Sequence, residues 1–269
     1  MWRGLYTAAT GMITESYRTD TIANNLANAN TTGFKRDDAV SKEFEPMLMH
    51  RIDDMSKTQR DVTTFKGFSL NNNAPVIGEL GLGSEIDEIV TDHSQGSFQT
   101  TGNPFDLAIS GEGYFMVNTP QGQRYTRDGN FYRSSTGRLV NVNGYNVLDD
   151  RGRPIDIPDE ATTIIVGPNG NITMNDNVPV AQIGLFQFQG GDQVMMKQGD
   201  NLYRTNGNPR RMNATGEIQQ GVLERSNTNV VSEMVNMIAN YRAYEANSRA
   251  VVTQDTMLEK SVNEVGRNM

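Results

Sequence analysis

Cysteine and histidine, two residue types that often carry out catalysis or bind metal ions, are nearly absent from this chain of 269 residues. It has no cysteine and only two histidines, His50 and His93. Disulfides, thiolate nucleophiles and cysteine-ligated zinc or iron–sulfur centres are therefore excluded, and a histidine metal site would need both imidazoles to meet. His50 follows Met47-Leu48-Met49, and His93 lies in the polar stretch Thr91-Asp92-His93-Ser94. We expect both histidines to have packing or surface roles.

Three short motifs begin like known ligand sites without completing the pattern. Gly81-Leu82-Gly83-Ser84 starts like a dinucleotide loop, but the third glycine and the strand–helix context are missing. Residues 149–152 and 156–160 are acidic, yet they lack the alternating oxygen ligands of a calcium loop. We therefore expect no enzyme activity, no cofactor and no bound metal. A pair of carboxylates remote in sequence, as used in sugar hydrolysis, stays open.

One polar cluster is harder to explain. Asn24, Asn25, Asn28 and Asn30 place four asparagines within seven residues. Asparagine is unfavourable inside a helix unless its amide has a partner. The cluster indicates either amides that bond to backbone at a turn or a close helix neighbour, or a fraying helix end.

The composition limits the classes of protein. The net charge of −8 argues against general nucleic-acid binding, which needs a basic face. No stretch approaches the roughly 20 apolar residues that cross a bilayer, and the start has no apolar run typical of a secretory signal. Residues classed as hydrophobic make up 36%, beside 26 glycines and 28 asparagines. This composition favours short strands with many turns, or burial completed against partners.

Both ends of the chain are predicted to be helical. At the N-terminus, residues at alternating steps of four and three fall on one weakly apolar face: Leu5, Ala9, Met12, Ser16, Thr19, Ala23 and Leu26. The helix is expected to end within 28–33, where Asn and Gly occur. Such a face makes a poorly stable helix on its own.

The C-terminal segment has the strongest periodicity. Two interleaved sets of positions, each repeating every seven residues, are apolar at nine of their eleven places, a pattern typical of a coiled coil or, alternatively, of an ordinary amphipathic helix. The first set is Val230, Met237, Tyr244, Val251, Leu258 and Val265, and the second is Met234, Tyr241, Ser248, Asp255 and Val262. Ser226 or Asn229 could cap its start, and Gly266 lies near its end.

The middle of the chain reads as β structure. Residues 96–221 contain short apolar runs separated by Gly-Glu-Gly, Pro-Gln-Gly, Asp-Gly-Asn and Asn-Gly, which indicate about ten short strands joined by turns. Residues 37–95 are less regular: a short helix is expected over 44–52, a polar stretch over 57–73 and a strand around 86–90.

The predicted fold is mainly β with long terminal α-helices. Residues 1–35 with 222–269 form a discontinuous helical coiled-coil layer, 36–95 an extended connecting segment, and 96–221 an all-β outer domain. The charges of the two ends cancel, so the whole −8 lies within 36–221.

Several blocks of sequence, in order along the chain, resemble the bacterial flagellar rod and hook proteins. They are residues 4–12 (GLYTAATGM), 22–35 (IANNLANANTTGFK), 106–115 (DLAISGEGYF), 125–131 (YTRDGNF) and 226–245. The C-terminal block is most similar to the distal rod type, with the proximal rod type next.

The resemblance implies a structural rod subunit, exported through the flagellar type III channel without a cleaved signal and located in the basal body. Its partners would be copies of itself, other rod and hook proteins, and the export apparatus. Both helices would lie in an inner helical tube and polymerise into a rigid drive shaft. The side chains expected between copies are Leu5, Met12, Asn24, Asn25, Leu26, Asn28, Met234, Met237, Tyr241, Tyr244, Val251 and Leu258.

Two alternatives stay open. One is a hook-type subunit or another flagellar axial protein, whose outer domain is usually larger. The other, of a different class, is a cell-wall glycan-binding or glycan-active β domain on a helical stalk. That function needs aromatic platforms in a cleft or a close carboxylate pair.

Overall fold

A computed structural model describes residues 2–50, 64–65, 68–69, 76–158, 163–174, 178–207 and 210–265. They form two compact units. The described residues of the first fall within Met1–Thr21, Asp38–Val90 and Asn236–Met269, and those of the second within Ile22–Asp37 and Thr91–Val235. Each terminal helix supplies residues to both units. The domain boundaries expected from the sequence stay a prediction.

The two predicted terminal helices are confirmed. Helix α1 spans Trp2–Ala27, and helix α2 spans Val230–Lys260 before a π-helical turn, Ser261–Val265. Asn229 caps α2, since its Oδ1 accepts hydrogen bonds from the backbone N–H groups of Val231 and Ser232 at 3.0 and 3.2 Å. Gly266 lies outside the described residues.

The first unit pairs the two helices and carries small β-ribbons. The Asn240 amide of α2 reaches Glu15 of α1, and Asn247 lies against Gly11, so the helices are antiparallel. The ribbons are two-stranded: β1 Asp37–Glu43 with β6 Ser84–Thr91, β2 Met47–His50 with β5 Val76–Leu80, and β3 Thr64–Phe65 with β4 Phe68–Ser69.

The structure confirms one expectation for this region and corrects another. The strand expected around 86–90 is β6. The helix expected over 44–52 is wrong, because Met47–His50 form a strand that pairs antiparallel with β5, Met47 opposite Leu80. Pairing with a distant strand overrides the local preference of Met and Leu for helix. Residues 51 and 52, and most of the polar stretch 57–73, lie outside the described residues.

The second unit is the β domain. Fifteen strands lie among its described residues within 96–221, more than the ten expected, because many are only two to four residues long. They are β7 Phe98–Thr100, β8 Leu107–Ser110, β9 Tyr114–Thr119, β10 Gly122–Thr126, β11 Phe131–Arg133, β12 Leu139–Asn141, β13 Asn146–Val147, β14 Ile164–Val166, β15 Asn171–Met174, β16 Val178–Gln182, β17 Leu185–Phe188, β18 Met195–Gly199, β19 Leu202–Thr205, β20 Arg211–Asn213 and β21 Glu217–Gln220.

One large sheet organises this domain. Its order is β11-β12-β13-β9-β10-β19-β18, with β17 pairing both β9 and β20. The strands β14-β15-β16 form a second sheet, β8 pairs β21, and β7 pairs the last strand, β22 Val222–Glu224. Phe115, Phe131 and Ile109 are completely buried in the main core. The chain is therefore mainly β with a helix at each end, as predicted.

Candidate functional site

Helix α2 has two faces of different character. Residues at steps of three and four form the face toward α1, and most are half-buried or buried: Met237, Asn240, Tyr244, Asn247, Val251, Gln254 and Leu258. Tyr244 keeps 39% of its surface exposed. The predicted interface residues Met237, Val251 and Leu258 therefore lie on the face that serves the helix pair within one chain.

The opposite face of α2 is apolar and exposed near its start. We call Val231, Met234, Val235, Ile238 and Tyr241 the outer α2 patch; their exposed fractions run from 49% for Met234 to 71% for Val231. A contiguous exposed apolar surface of this kind marks an interaction site. The predicted interface residues Met234 and Tyr241 belong to it.

Helix α1 exposes large apolar residues too, and they were missed in the sequence. Tyr6, Ile13 and Tyr17 are 57–63% exposed, whereas the predicted Leu5 and Met12 are half-buried. The step of seven from Tyr6 to Ile13, followed by four to Tyr17, is a heptad-like signal that could have found them.

The asparagine cluster bonds to backbone. Asn25 is buried, donates from Nδ2 to the carbonyl of Asp37 at 2.7 Å, and accepts from the Asp37 N–H at 2.9 Å. Asn28 donates to the carbonyl of Asn24 at 3.0 Å. These bonds favour a defined turn over a fraying end. Asn24 is exposed and Leu26 half-buried.

A polar groove of about 780 Å³ opens beside this turn, within the second unit. Asn24, Asn28 and Asn30 line one side. Among the described residues that line it, the single aromatic is Phe34, which is 7% exposed. A buried ring gives a sugar no platform for stacking.

A buried ion cluster fixes the segment after α1. The Nζ of Lys35 donates to Glu224 Oε1 at 2.6 Å and to the carbonyl of Ser94 at 2.8 Å, and the Lys35 and Glu224 side chains are each 1% exposed. The same Glu224 oxygen accepts the N–H of Gly96 at 2.9 Å. The guanidinium Nη1 of Arg127, 5% exposed, lies 3.7 Å from Glu224 Oε2. One carboxylate therefore compensates two buried cations.

Burial and the neighbouring Glu224 act in opposite directions on the pKa of Lys35. Burial lowers the pKa of Lys35, and the nearby Glu224 opposes that shift. Because the ammonium makes two short hydrogen bonds, we assign it the charged form.

His93 joins a hydrogen-bonded chain next to the cluster. The Tyr114 hydroxyl lies 2.7 Å from Asp192 Oδ1 and 2.9 Å from His93 Nδ1. Since a carboxylate only accepts, Tyr114 donates to Asp192 and accepts from the protonated Nδ1 of His93. Burial lowers the His93 pKa, Asp192 opposes that, and Lys35, Lys197 and Arg127 lower it further. His93 is a packing residue here, as expected.

Two observations concern ligands and membranes. Across the parts of the chain that the structure describes, no three histidine, aspartate or glutamate side chains converge to hold a metal ion. None of the helices among the described residues combines the length and apolar character needed to cross a membrane.

Three family models match separate parts of the sequence. Residues 5–35 match the flagella basal body rod protein family, 108–174 the flagellar hook protein FlgE/F/G D1 domain, and 219–264 the flagellar basal body rod FlgEFG protein C-terminal domain.

Curated relatives match nearly the whole chain. The flagellar basal-body rod protein FlgG of Bacillus subtilis is 36% identical, over 98% of this chain and 99% of the relative. FlgG of Borreliella burgdorferi is 35% identical over 96% and 97%. The flagellar basal-body rod protein FlgF of Caulobacter vibrioides is 33% identical over 99% of each chain.

Proposed function

The chain belongs to the flagellar basal-body rod protein family, and we propose that it builds the rod by polymerising through its terminal helices. As a member of that family it is a structural subunit of the flagellar basal body. The helical contacts, the rigidity of the shaft and the route of export are the finer parts of the proposal.

The outer α2 patch is the observation that carries the proposal. It leaves five large apolar side chains of α2 in water, and α1 separately exposes Tyr6, Ile13 and Tyr17. Covering apolar surface gains roughly 25 cal/mol per Å². We assign the cover to the helices of neighbouring copies. Such contacts join non-identical surfaces, so they extend as an open helical polymer.

The helix pair within one chain is weak by comparison, because polar Asn240, Asn247 and Gln254 lie on the face toward α1. We infer that both helices are marginally stable in the free subunit and gain order when neighbours cover them. A chain without disulfides and with such weak ends suits export in an unfolded state. Its partners are then copies of itself, other rod and hook proteins, and the flagellar type III export apparatus.

The alternatives have less support. The relatives that span the whole chain are named rod proteins, which favours a rod subunit over a hook subunit. A glycan-binding β domain would need an exposed aromatic platform. Among the described residues that line the polar groove, the single aromatic residue is Phe34, which is buried.

Swimming of cells that carry Tyr241→Asp tests the proposal. A charge in the outer α2 patch cannot be buried against a neighbour without a large desolvation cost, so we expect swimming to be lost. Thr253→Asp is the matched control, because Thr253 is also exposed on α2 but is not in the patch. Both variants should be made in normal amounts and keep a folded β domain. Normal swimming with Tyr241→Asp would contradict the proposal.

A further inference from the structure

The contact between α1 and α2 is polar where a coiled coil is normally apolar. On α2, Asn240, Asn247 and Gln254 follow each other at intervals of seven residues on the face toward α1. The Nδ2 of Asn240 donates to the carbonyl of Glu15 at 2.6 Å and lies 2.6 Å from the Oγ1 of Thr19. Asn240 is 6% exposed, so this amide is an internal part of the helix pair.

The other two amides lie against glycines of α1. A Cβ built on Gly11 would come within 2.8 Å of Asn247 Nδ2, and one built on Gly4 within 3.2 Å of Gln254 Nε2. The helices therefore approach closely at two levels seven residues apart, and a side chain at Gly11 would displace the amide.

These amides cost stability. Apolar side chains at such positions would bury more surface, and the Oε1 of Gln254 is buried without a hydrogen-bond partner among the described residues. A buried asparagine in a coiled coil commonly selects one register at the expense of stability.

We propose that Asn240 sets the register of α1 on α2. Moving α1 by one heptad would bring Met12 or Leu26 to the place of Thr19; Leu26 cannot accept the hydrogen bond, and the thioether of Met12 is only a weak acceptor. Leucine at position 240 would accept either register, because the apolar pattern of α1 repeats every seven residues. The amide thereby fixes which residues the helix pair leaves outside.

Thiol crosslinking of the purified full chain tests this inference and does not depend on polymerisation. The chain has no native cysteine. Gly4→Cys with Gln254→Cys reports the observed register, and Gly4→Cys with Asn247→Cys reports a slip of one heptad. Each reporter removes one amide and keeps Asn240, so the two are matched. A short thiol-to-thiol crosslinker traps even a helix pair that forms transiently.

With Asn240 present, we expect the slipped reporter to give about tenfold less intramolecular product than the register reporter, the ratio that one net hydrogen bond supports. Asn240→Leu should bring the two yields to the same order, and Asn240→Ala, which adds no bulk, should shift them in the same direction. Asn236→Leu, on an exposed position of α2, should change neither yield.

Two results would overturn the inference. The first is a slipped yield that stays low in both Asn240 variants while circular dichroism shows the helices retained. The second is equal yields from the two reporters while Asn240 is still present.

Discussion

At the scale of single residues, Glu224 lies at the centre of the buried ion cluster of the β domain. It compensates both Lys35 and Arg127 in a site closed to water. We predict that Glu224→Gln lowers the free energy of unfolding by about 3–5 kcal/mol, because it removes the carboxylate that faces two buried cations. Lys35→Met should cost less, since Glu224 then still faces Arg127.

Urea unfolding of the two variants, followed by far-UV circular dichroism, measures which variant loses more free energy of unfolding. Lys35→Met is the reference variant, because it also removes one charge from the same buried site. A larger loss for Lys35→Met than for Glu224→Gln would mean that Arg127 does not depend on Glu224.

His93 predicts how stability responds to acid. Its folded-state pKa is lowered by burial and by Lys35, Lys197 and Arg127, so the unfolded chain binds the proton more readily. This contribution to stability is present at neutral pH and is lost as pH falls below about 6.5, the ordinary histidine value.

Urea midpoints at several pH values between neutrality and pH 5 test the role of His93. His93→Gln cannot take up a proton and should flatten the decline in that range. An equally steep decline in His93→Gln would assign the acid sensitivity to other groups.

The buried ion cluster could not be predicted from the sequence. Lys35 and Glu224 are 189 positions apart, and neither lies in a motif that suggests a pair. The asparagine cluster was more predictable, because the preference of asparagine for hydrogen bonds to backbone is local. The bonds of Asn25 and Asn28 follow that preference.

At the scale of elements, the turn that ends α1 depends on Gly33. Its φ of +64° is left-handed, and a Cβ there would come within 2.6 Å of the Arg127 carbonyl carbon and the Asp128 nitrogen. We predict that Gly33→Ala destabilises the β domain by more than the roughly 1 kcal/mol of left-handed strain alone.

Gly144→Ala is the matched control for that turn. Gly144 also has a left-handed φ, +79°, but no atom lies within 4 Å of the Cβ it would gain. Thermal unfolding of both variants separates backbone strain from the close approach. Equal losses of stability would show that the approach of residues 127–128 contributes nothing.

Elements were predictable where the pattern is long. The heptads of α2 and the turn residues of the β domain identified both features correctly, since periodicity over many residues outweighs local noise. The strand Met47–His50 is not recognisable from the sequence, because four residues carry too little pattern and its partner β5 begins 29 positions after Met47. On the face of α2 that meets α1, the heptad pattern identifies the apolar residues but not Asn240, Asn247 and Gln254, because polar residues do not contribute to an apolar pattern.

At the scale of the whole molecule, we propose that the two faces of α2 have different partners. The face with Asn240 pairs with α1 of the same chain, while the outer α2 patch is left for neighbouring copies. The modest supply of hydrophobic residues, 36% of the chain, fits a protein that completes its burial between subunits. That the polymer forms through these helices is the central claim.

A cryo-electron microscopy reconstruction of the rod in isolated basal bodies tests this claim most directly. We predict that Val231, Ile238 and Tyr241 are buried against helices of neighbouring subunits. A rod in which these side chains face solvent, with neighbouring subunits joined through their β domains alone, would contradict it.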